Sequence, residues 1–419
     1  MQTTRRRFLK SALAAGAFTI VPRRVLGGPG YTPPSDELTK AVIGVGGMGH
    51  WHLGNTGERL LAVCDVDEEH MREGMTIGGP GVKGYRDFRE VLERKDIDVI
   101  HIATPPHWHG LIAIAAVKAG KDVWCEKPMT RTIAEGEKLV EAVRTYGRIF
   151  RINTWFRYSG QTFYDSGATV KEFRKLVQSG LLGTPVKATI GRATGFEWKF
   201  YWSGRTDLTP EWIPANLDYD FWLGPAPYKP YHPHRVHQTF RGYWDYDGGG
   251  LGDMGQHYID PVQYILGKDG ESPVEIEAEA PHQHPDAATF FRRISLRYAD
   301  GSEIVLEGER ENDEIPFLEG PNGKLFKGFR CTIPDVREKL LGVPDPEPPV
   351  SDFMYAVRTR RPFVLNESNG FRSCTLVNLA KISWQLGRKI RINPGSLRCV
   401  NDDAANLLID PPMRAPWHL

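Results

Sequence analysis

The 419-residue chain has almost no charge surplus: 53 Lys and Arg stand against 52 Asp and Glu, a formal net charge of +1. Nothing in that balance draws it to nucleic acid or to an anionic membrane surface, and a small neutral ligand suits it better. Cysteine is scarce too. Five of them (Cys64, Cys125, Cys331, Cys374, Cys399) in so long a chain imply no disulfide framework, and Cys64 and Cys125, at the ends of predicted buried strands, read as packed thiols. Long apolar runs are missing: residues 12–21 are too few and too rich in Ala and Gly to span a bilayer well. There is no internal repeat and no low-complexity tract. What is there, 40% hydrophobic and 25% charged residues, describes an ordinary globular protein, and the length predicts two domains.

The N-terminus carries an address. Thr4-Arg5-Arg6-Arg7-Phe8-Leu9-Lys10, ahead of the short apolar run, resembles a twin-arginine export signal, used for proteins translocated already folded. A basic tail is the other reading. The export reading implies the twin-arginine machinery as a partner and a periplasmic or membrane-tethered location; no good small-x-small cleavage site precedes Tyr31, so an uncleaved anchor stays open.

Gly44-Val45-Gly46-Gly47-Met48-Gly49 stands directly behind the apolar run Ala41-Val42-Ile43, and Asp65 follows the next apolar run about 20 residues on. This is a dinucleotide-binding fingerprint. A strand turns sharply into a helix with no side chains in the way, so that a pyrophosphate can rest on backbone N–H groups. A carboxylate ending the second strand reaches the adenosine ribose hydroxyls and repels a 2′-phosphate, which favours NAD over NADP. A Gly-rich turn of no function would need neither the strand before it nor the acid after it.

From residue 38 to about 153, apolar strands alternate with helical stretches, which predicts a parallel, doubly wound sheet. Strands are expected over 40–45, 60–65, 98–103, 122–125 and 149–152, a weaker one around 82–85, and a helix over 108–118. Past Phe156 the pattern changes, with a helix expected over 164–181 and a strand over 186–190. Residues 194–247, rich in Trp, Tyr, Pro and Gly, show little periodicity, and a stretch of that length reads as a functional lid or arm. Ile294, Leu296 and Tyr298 alternate with polar residues, Asp300-Gly301 supplies a tight turn, and Ile304 and Leu306 resume the alternation: an antiparallel hairpin. With the run 274–278 it suggests an open antiparallel sheet whose second face is free to pack against a partner, hence a homo-oligomer, dimer or tetramer. A Pro-rich connector over 344–349 leads to helices over 351–360 and 372–387. The expected organisation is signal and linker over 1–35, dinucleotide-binding domain over 36–155, substrate and oligomerisation domain over 156–392, and a tail over 393–419 packing back on the protein.

Two clusters can carry chemistry. Glu126-Lys127-Pro128 follows the strand ending at Cys125, at the carboxyl edge where doubly wound sheets bind ligands; an ammonium there can polarise a substrate oxygen, unless it is only a surface Lys before a turn. In Gly248-Gly249-Gly250-Leu251-Gly252-Asp253-Met254-Gly255-Gln256-His257, the Asp253 and His257 side chains share one helix face, so the carboxylate can orient the imidazole. Asp260 shares that face, and Pro261 kinks or ends the first turns. An Asp/His pair of this spacing also occurs on ordinary surface helices. His232 and His234 with His237, and His282 with His284, have no accompanying Cys or carboxylate pattern; they read as solvent-facing loop histidines, and no metal is expected.

The fingerprint at 44–49, Ala103-Thr104-Pro105 with His109, Glu126-Lys127-Pro128 and Asp253-x-x-x-His257, in that order, resemble the glucose-fructose oxidoreductase/inositol dehydrogenase/MocA (Gfo/Idh/MocA) family. Trp222-Leu223-Gly224-Pro225-Ala226-Pro227, Ala404 to Asn406 and Arg414-Ala415-Pro416-Trp417 extend the resemblance over nearly the whole chain. It implies an α/β fold: an N-terminal NAD-binding Rossmann domain, then a C-terminal α/β domain with a large open, mainly antiparallel sheet. It also implies a sugar or polyol substrate, with Lys127, Asp253 and His257 matching the family's catalytic residues.

The mechanism this suggests is hydride transfer to nicotinamide. His257 takes the hydroxyl proton, Lys127 holds the oxygen and Asp253 fixes the imidazole tautomer. Gly44, Gly46, Gly47, Met48, Gly49, Asp65, Thr104, Pro105, His109, Glu126 and Asn153 form the expected cofactor set, with NAD tightly bound. Trp155, Arg157, Tyr243, Trp244 and Asp260 form the expected sugar site, since flat rings and polar forks suit pyranoses; core packing is the equal alternative for the aromatics. An exported NAD enzyme with no domain for reoxidising its cofactor also suggests a redox-neutral glycoside hydrolase or lyase working through a transient keto-sugar. A non-catalytic sugar or nucleotide sensor would keep the fingerprint but lose Lys127 or His257.

Overall fold

The computed structural model describes residues 37–54 and 56–419. The expected twin-arginine segment and its linker lie outside the described residues. Six strands, β1 (Thr39–Ile43), β2 (Arg59–Cys64), β3 (Lys83–Tyr85), β4 (Val99–Ile102), β5 (Asp122–Cys125) and β6 (Phe150–Ile152), form one parallel sheet in the order β3-β2-β1-β4-β5-β6. Every residue of β1, β4 and β5 is buried, which suits their mostly apolar sequences: helices cover both faces. The helix His109–Lys118 buries Ala113 and Ala116 completely, and small side chains there let it lie close to the sheet. The strand order reverses between β1 and β4, and at such a switch point a crevice opens outside the carboxyl ends.

The rest of the chain builds a nine-stranded sheet from β7 (Lys187–Ile190), β8 (Glu275–Glu279), β9 (Arg293–Arg297), β10 (Glu303–Glu307), β11 (Leu318–Gly320), β12 (Gly323–Phe326), β13 (Arg330–Cys331), β14 (Ile390–Asn393) and β15 (Arg398–Cys399). Its order is β13-β12-β11-β7-β10-β9-β8-β14-β15, and only the β7–β10 pair is parallel. The hairpin read from the alternation is β9/β10, with Leu296 opposite Ile304 and Ile294 opposite Leu306. Those four side chains are fully buried. The opposite face carries Arg297 between Glu275 and Glu303, and Lys389 on Glu275 and Glu277. Exposed pairs of this kind contribute little each, so that face is polar rather than an uncovered apolar surface.

The structure corrects one local reading and fills in two others. The helix expected over 164–181 starts only at Val170, because Gly167 is left-handed (φ +84°) and Thr169 caps the helix through a reciprocal pair with Glu172. Pro261 neither ends nor splits the helix Gly249–Ile265; it removes the N–H that the His257 carbonyl would otherwise accept from. Residues 194–247 hold one short helix, Tyr219–Leu223, and several 3₁₀ turns around their own aromatic core of Tyr219, Trp222, Tyr231, Phe240, Tyr243 and Tyr246.

That segment reaches across the carboxyl edge of the parallel sheet. Glu68 N donates to Asn216 O, Asp218 N to Val66 O, and the Trp108 indole to Trp222 O. Gly224 is required where it stands: its φ is +50°, and a Cβ would fall 2.1 Å from the Trp108 ring. The C-terminal residues fasten the same corner, Arg414 donating to Gly224 O while Trp417 meets Trp108 edge-on at 4.8 Å.

Candidate active site

One cavity of about 630 Å³ runs from the glycine turn behind β1 to the helix Gly249–Ile265, within the size usual for small-ligand sites. Gly44, Gly46, Gly47 and Met48 line one end with Asp65, Thr104 and Pro105. Gly44 has φ +82°, and a Cβ would sit 2.6 Å from Thr104 N, so glycine there is what lets the ends of β1 and β4 converge. A Cβ at Gly47 would meet nothing within 4 Å. The Asp65 carboxylate is held by Val45 N at 2.8 Å and Asp67 N at 2.9 Å, while burial pushes its pKa up against those bonds. A bare turn and an anchored acid in one cavity fit a dinucleotide.

Three members of the expected cofactor set are not among the lining residues. Gly49 is a packing position, where a Cβ would fall 2.1 Å from Gly44 O. The His109 ring nitrogens lie 2.7 and 2.8 Å from the carbonyls of Pro128 and Thr104, and burial favours its neutral form. Asn153 donates to Glu126 Oε1 at 2.5 Å. The last two act on the loops that shape the site. Glu126 does line the cavity, and although burial alone would raise its pKa, His52, Lys127 and Asn153 together outweigh that and bring it down to about 2.

The three clustered histidines separate. His232 faces Glu211 and His234 bonds the Tyr243 hydroxyl, while His237 turns to Asp67 and stacks edge-on against His70 at 4.9 Å. Asp67, His70 and His237 bring ligand atoms within 4.8 Å of one another, which the reading of solvent-facing histidines did not foresee. All three line the cavity near Asp65, so they belong to its cofactor end.

At the other end, Lys127 projects from the loop after β5 and meets the helix Gly249–Ile265. Gln256 ties the two together: its Oε1 accepts from Met129 N at 2.8 Å, and its Nε2 donates to Gly370 O and Ser373 Oγ. The glycines ahead of Asp253 make room for neighbours. A Cβ at Gly250 would lie 2.9 Å from the Lys199 backbone, and one at Gly252 only 2.1 Å from the Asp247 carboxylate.

Asp253 does not orient His257. Its Oδ1 accepts from Lys127 Nζ (2.8 Å) and Arg241 Nε (3.1 Å), and its Oδ2 from Lys199 Nζ (3.1 Å). Burial alone would raise this carboxyl, but Lys127, Arg241 and Lys199 outweigh it and hold it well below the ordinary carboxylate range. His257 Nδ1 has no partner among the described residues, and its ring packs on Trp155 at 4.9 Å. Burial, helped by the Lys127 charge, lowers His257 to about 3, so the imidazole is neutral at pH 7.

Of the expected sugar-site residues, Trp155 lines the cavity. The other four do not. Arg157 Nη2 donates to Asp260 Oδ1 at 2.7 Å and Nη1 to Asp269 at 2.5 Å, in a buried cluster where both fork and acid are spent on each other. Tyr243 is fully buried in the aromatic core of the arm, and Trp244 packs on Trp384 while donating to His284 O. For these two the core-packing alternative holds. Residues that sequence reasoning missed are Lys199, Trp202, Arg241 and Asp247, all in the lining, on a segment without periodicity to place them. Also missed was a buried file behind Glu126: His52 Nε2 at 2.9 Å from Glu126, His52 Nδ1 at 2.9 Å from His101 Nδ1, and His101 Nε2 at 3.4 Å from Glu58. The one signal was His101 within the otherwise apolar strand β4.

Comparison with known proteins agrees with this architecture. Residues 38–154 match the model of an oxidoreductase family's NAD-binding Rossmann fold, and residues 166–419 match that family's C-terminal alpha/beta domain. An inositol 2-dehydrogenase of Salmonella typhimurium is 30% identical over 155 residues, 36% of this chain and 44% of that protein. A glycosyl hydrolase family 109 protein of Shewanella pealeana is 31% identical over 168 residues, 34% of this chain and 37% of that protein. The matched stretch thus spans less than half the length of either relative. Among solved structures, the WlbA dehydrogenase from Bordetella pertussis, in complex with NADH and UDP-GlcNAcA, superposes with a TM-score of 0.58 at 17% identity, over 85% of this chain and 99% of that one. At that identity the likeness shows the fold.

Proposed function

The chain belongs to the Gfo/Idh/MocA oxidoreductase family, with its NAD-binding Rossmann fold, and on that premise we propose that it oxidises a hydroxyl-bearing carbon of a sugar, polyol or glycoside by hydride transfer to nicotinamide. One observation carries the reading: a single cavity holds the glycine turn and Asp65 together with Lys127 and a neutral His257 whose Nδ1 is unpartnered. NAD, when bound, supplies the hydride acceptor. His257, uncharged at neutral pH, has a lone pair with which to take the hydroxyl proton. Lys127 holds the hydroxyl oxygen and favours the alkoxide by its charge, and Asp253 keeps the ammonium in place through two contacts. The Arg5-Arg6-Arg7 run supports export by the twin-arginine route with NAD already loaded, and so a tightly held cofactor.

A redox-neutral glycoside hydrolase or lyase is the second reading, favoured by the family 109 relative. There the hydride returns to the sugar after elimination and addition of water. One experiment separates the two. Protein purified without added nucleotide is scanned for released NAD by absorbance and mass, then mixed with sugars and glycosides while NADH absorbance is followed. A rise sustained by added NAD establishes the dehydrogenase, glycoside cleavage without a rise establishes the hydrolase or lyase, and bound NAD with no chemistry on any substrate favours a sensor.

A further inference from the structure

The charge of the whole chain is near zero, but charge at the chemical end of the cavity is not balanced. Lys127, Lys199 and Arg241 converge on Asp253, at 2.8, 3.1 and 3.1 Å. Two other carboxyls lie close by. Asp247 is set against buried Lys381, whose Nζ donates to the Asp247 carbonyl at 3.0 Å, and burial pushes the Asp247 carboxyl up to about 7, toward its neutral form. Glu126 is engaged by His52 and Asn153. Lys127, Lys199 and Arg241 thus face the carboxylates of Asp253 and Glu126, which leaves at least one positive charge surplus, and a neutral Asp247 takes nothing from it.

That surplus faces the cavity. Lys199 and Arg241 side chains are 37% and 21% exposed against 5% for Asp253, and both line the cavity. Lys199 gives Asp253 one of its three protons. Arg241 spends Nε on Asp253 and Nη1 on Gln238 O, with its guanidinium 5.1 Å from the Trp202 ring. Trp202 is also in the lining, though its indole N–H is buried and has no partner among the described residues. Ammonium and guanidinium are donors only, and a group that matches a donor-only set of surplus charge is an anion with acceptor oxygens. These donors gather on Lys127 and Asp253 rather than on the glycine turn.

We propose that the substrate of this site carries a carboxylate: a sugar acid or polyol acid whose anionic group is held by Lys199 and Arg241 while its reacting hydroxyl lies at Lys127 and His257. The proposal rests on the reading of the site as a polyhydroxy-substrate oxidoreductase. It is tested on the NAD-loaded full chain by calorimetric titration with matched pairs, glucose and glucuronate, galactose and galacturonate, with glucose 6-phosphate as the dianionic control. NADH absorbance is followed in parallel. In at least one pair the acid binds at least about tenfold tighter than the neutral sugar, and that margin shrinks about tenfold in Lys199→Gln and in Arg241→Gln. NAD affinity in the same variants stays within about twofold of the parent.

Equal binding within every pair, or no binding of the acids, overturns the proposal. So does loss of NAD affinity in the variants with the acid-to-neutral ratio unchanged, which assigns the two cations to the pyrophosphate. Tighter binding of the 6-phosphate than of either acid overturns the choice of carboxylate. Acid preference without hydride transfer leaves the proposal standing and removes the oxidoreductase reading instead.

Discussion

Lys127 and Asp253 meet twice: the Lys127 ammonium lies 2.6 Å from the Asp253 carbonyl oxygen and 2.8 Å from its carboxylate Oδ1. The loop after β5 is thereby fixed to the first turns of the helix that carries His257 one turn further on. With Lys199 and Arg241 on the same carboxylate, Asp253 is the hub that positions the cations, and the imidazole orientation comes from burial and the Trp155 ring.

Because lysine and histidine are held by one helix, they should act as a unit. Lys127→Ala and His257→Ala each lower kcat/KM by about 10²- to 10⁴-fold, and the double variant costs little more than either alone. NAD affinity is retained in all three, measured by fluorescence titration. Unchanged turnover in either single variant removes the role given to that residue.

Asp65 sits where a ribose contact is expected, its carboxylate fixed by Val45 N and Asp67 N. Replacing it with Ser weakens NAD binding at least about tenfold, about 1.4 kcal/mol, and narrows the preference over NADP, because the charge that repels a 2′-phosphate is gone. An unaltered NAD affinity in Asp65→Ser refutes the contact.

Local periodicity made the parallel sheet legible: β1, β2, β4, β5 and β6 each fall within a residue or two of the apolar runs that announce them. The hairpin β9/β10 was legible for the same reason, two alternating runs around Asp300-Gly301. The glycine turn, Lys127 and His257 line one cavity, a grouping that in the sequence came from the family resemblance. What could not be read depends on contacts between residues far apart in sequence. Lys199 and Arg241 become site residues only because an aperiodic arm, organised by its own aromatic core, crosses the carboxyl edge. Arg157 and Asp260 looked like recognition groups for the opposite reason, since nothing local reveals that they neutralise each other.

Asp247 gives a pH signature. Its carboxyl is raised to about 7 by burial and by Asp253, from an ordinary value of 3.8, so between those values the folded state binds more protons than the unfolded one. Its contribution therefore falls as pH rises from about 4 to about 7 and stays low above that. Asp247→Asn flattens the dependence of stability on pH across this window and raises stability at pH 8 by up to about 4 kcal/mol, at about 1.4 kcal/mol per pKa unit. Denaturant melts at pH 4.5 and pH 8 are the check. An Asp247→Asn variant destabilised equally at both pH values shows that the carboxyl is not held protonated.

Arg157 and Asp260 are expected to answer differently from a substrate clamp. Both side chains are almost wholly buried, so Arg157→Met leaves the Asp260 carboxylate without its partner in a medium that solvates it poorly. The loss expected is about 3–5 kcal/mol of stability, read as a lower midpoint in denaturant with the slope unchanged. Asp260→Leu alone strands the guanidinium, although Asp269, partly exposed, still pairs with it, so the cost should be smaller. The double variant Arg157→Met/Asp260→Leu removes both charges and should recover a good part of the loss, because a buried pair is costly to break but cheap to replace whole. Folded protein of any of the three should keep its KM. A KM raised tenfold or more in folded Arg157→Met, with the denaturation midpoint unmoved, would return the arginine to the substrate site.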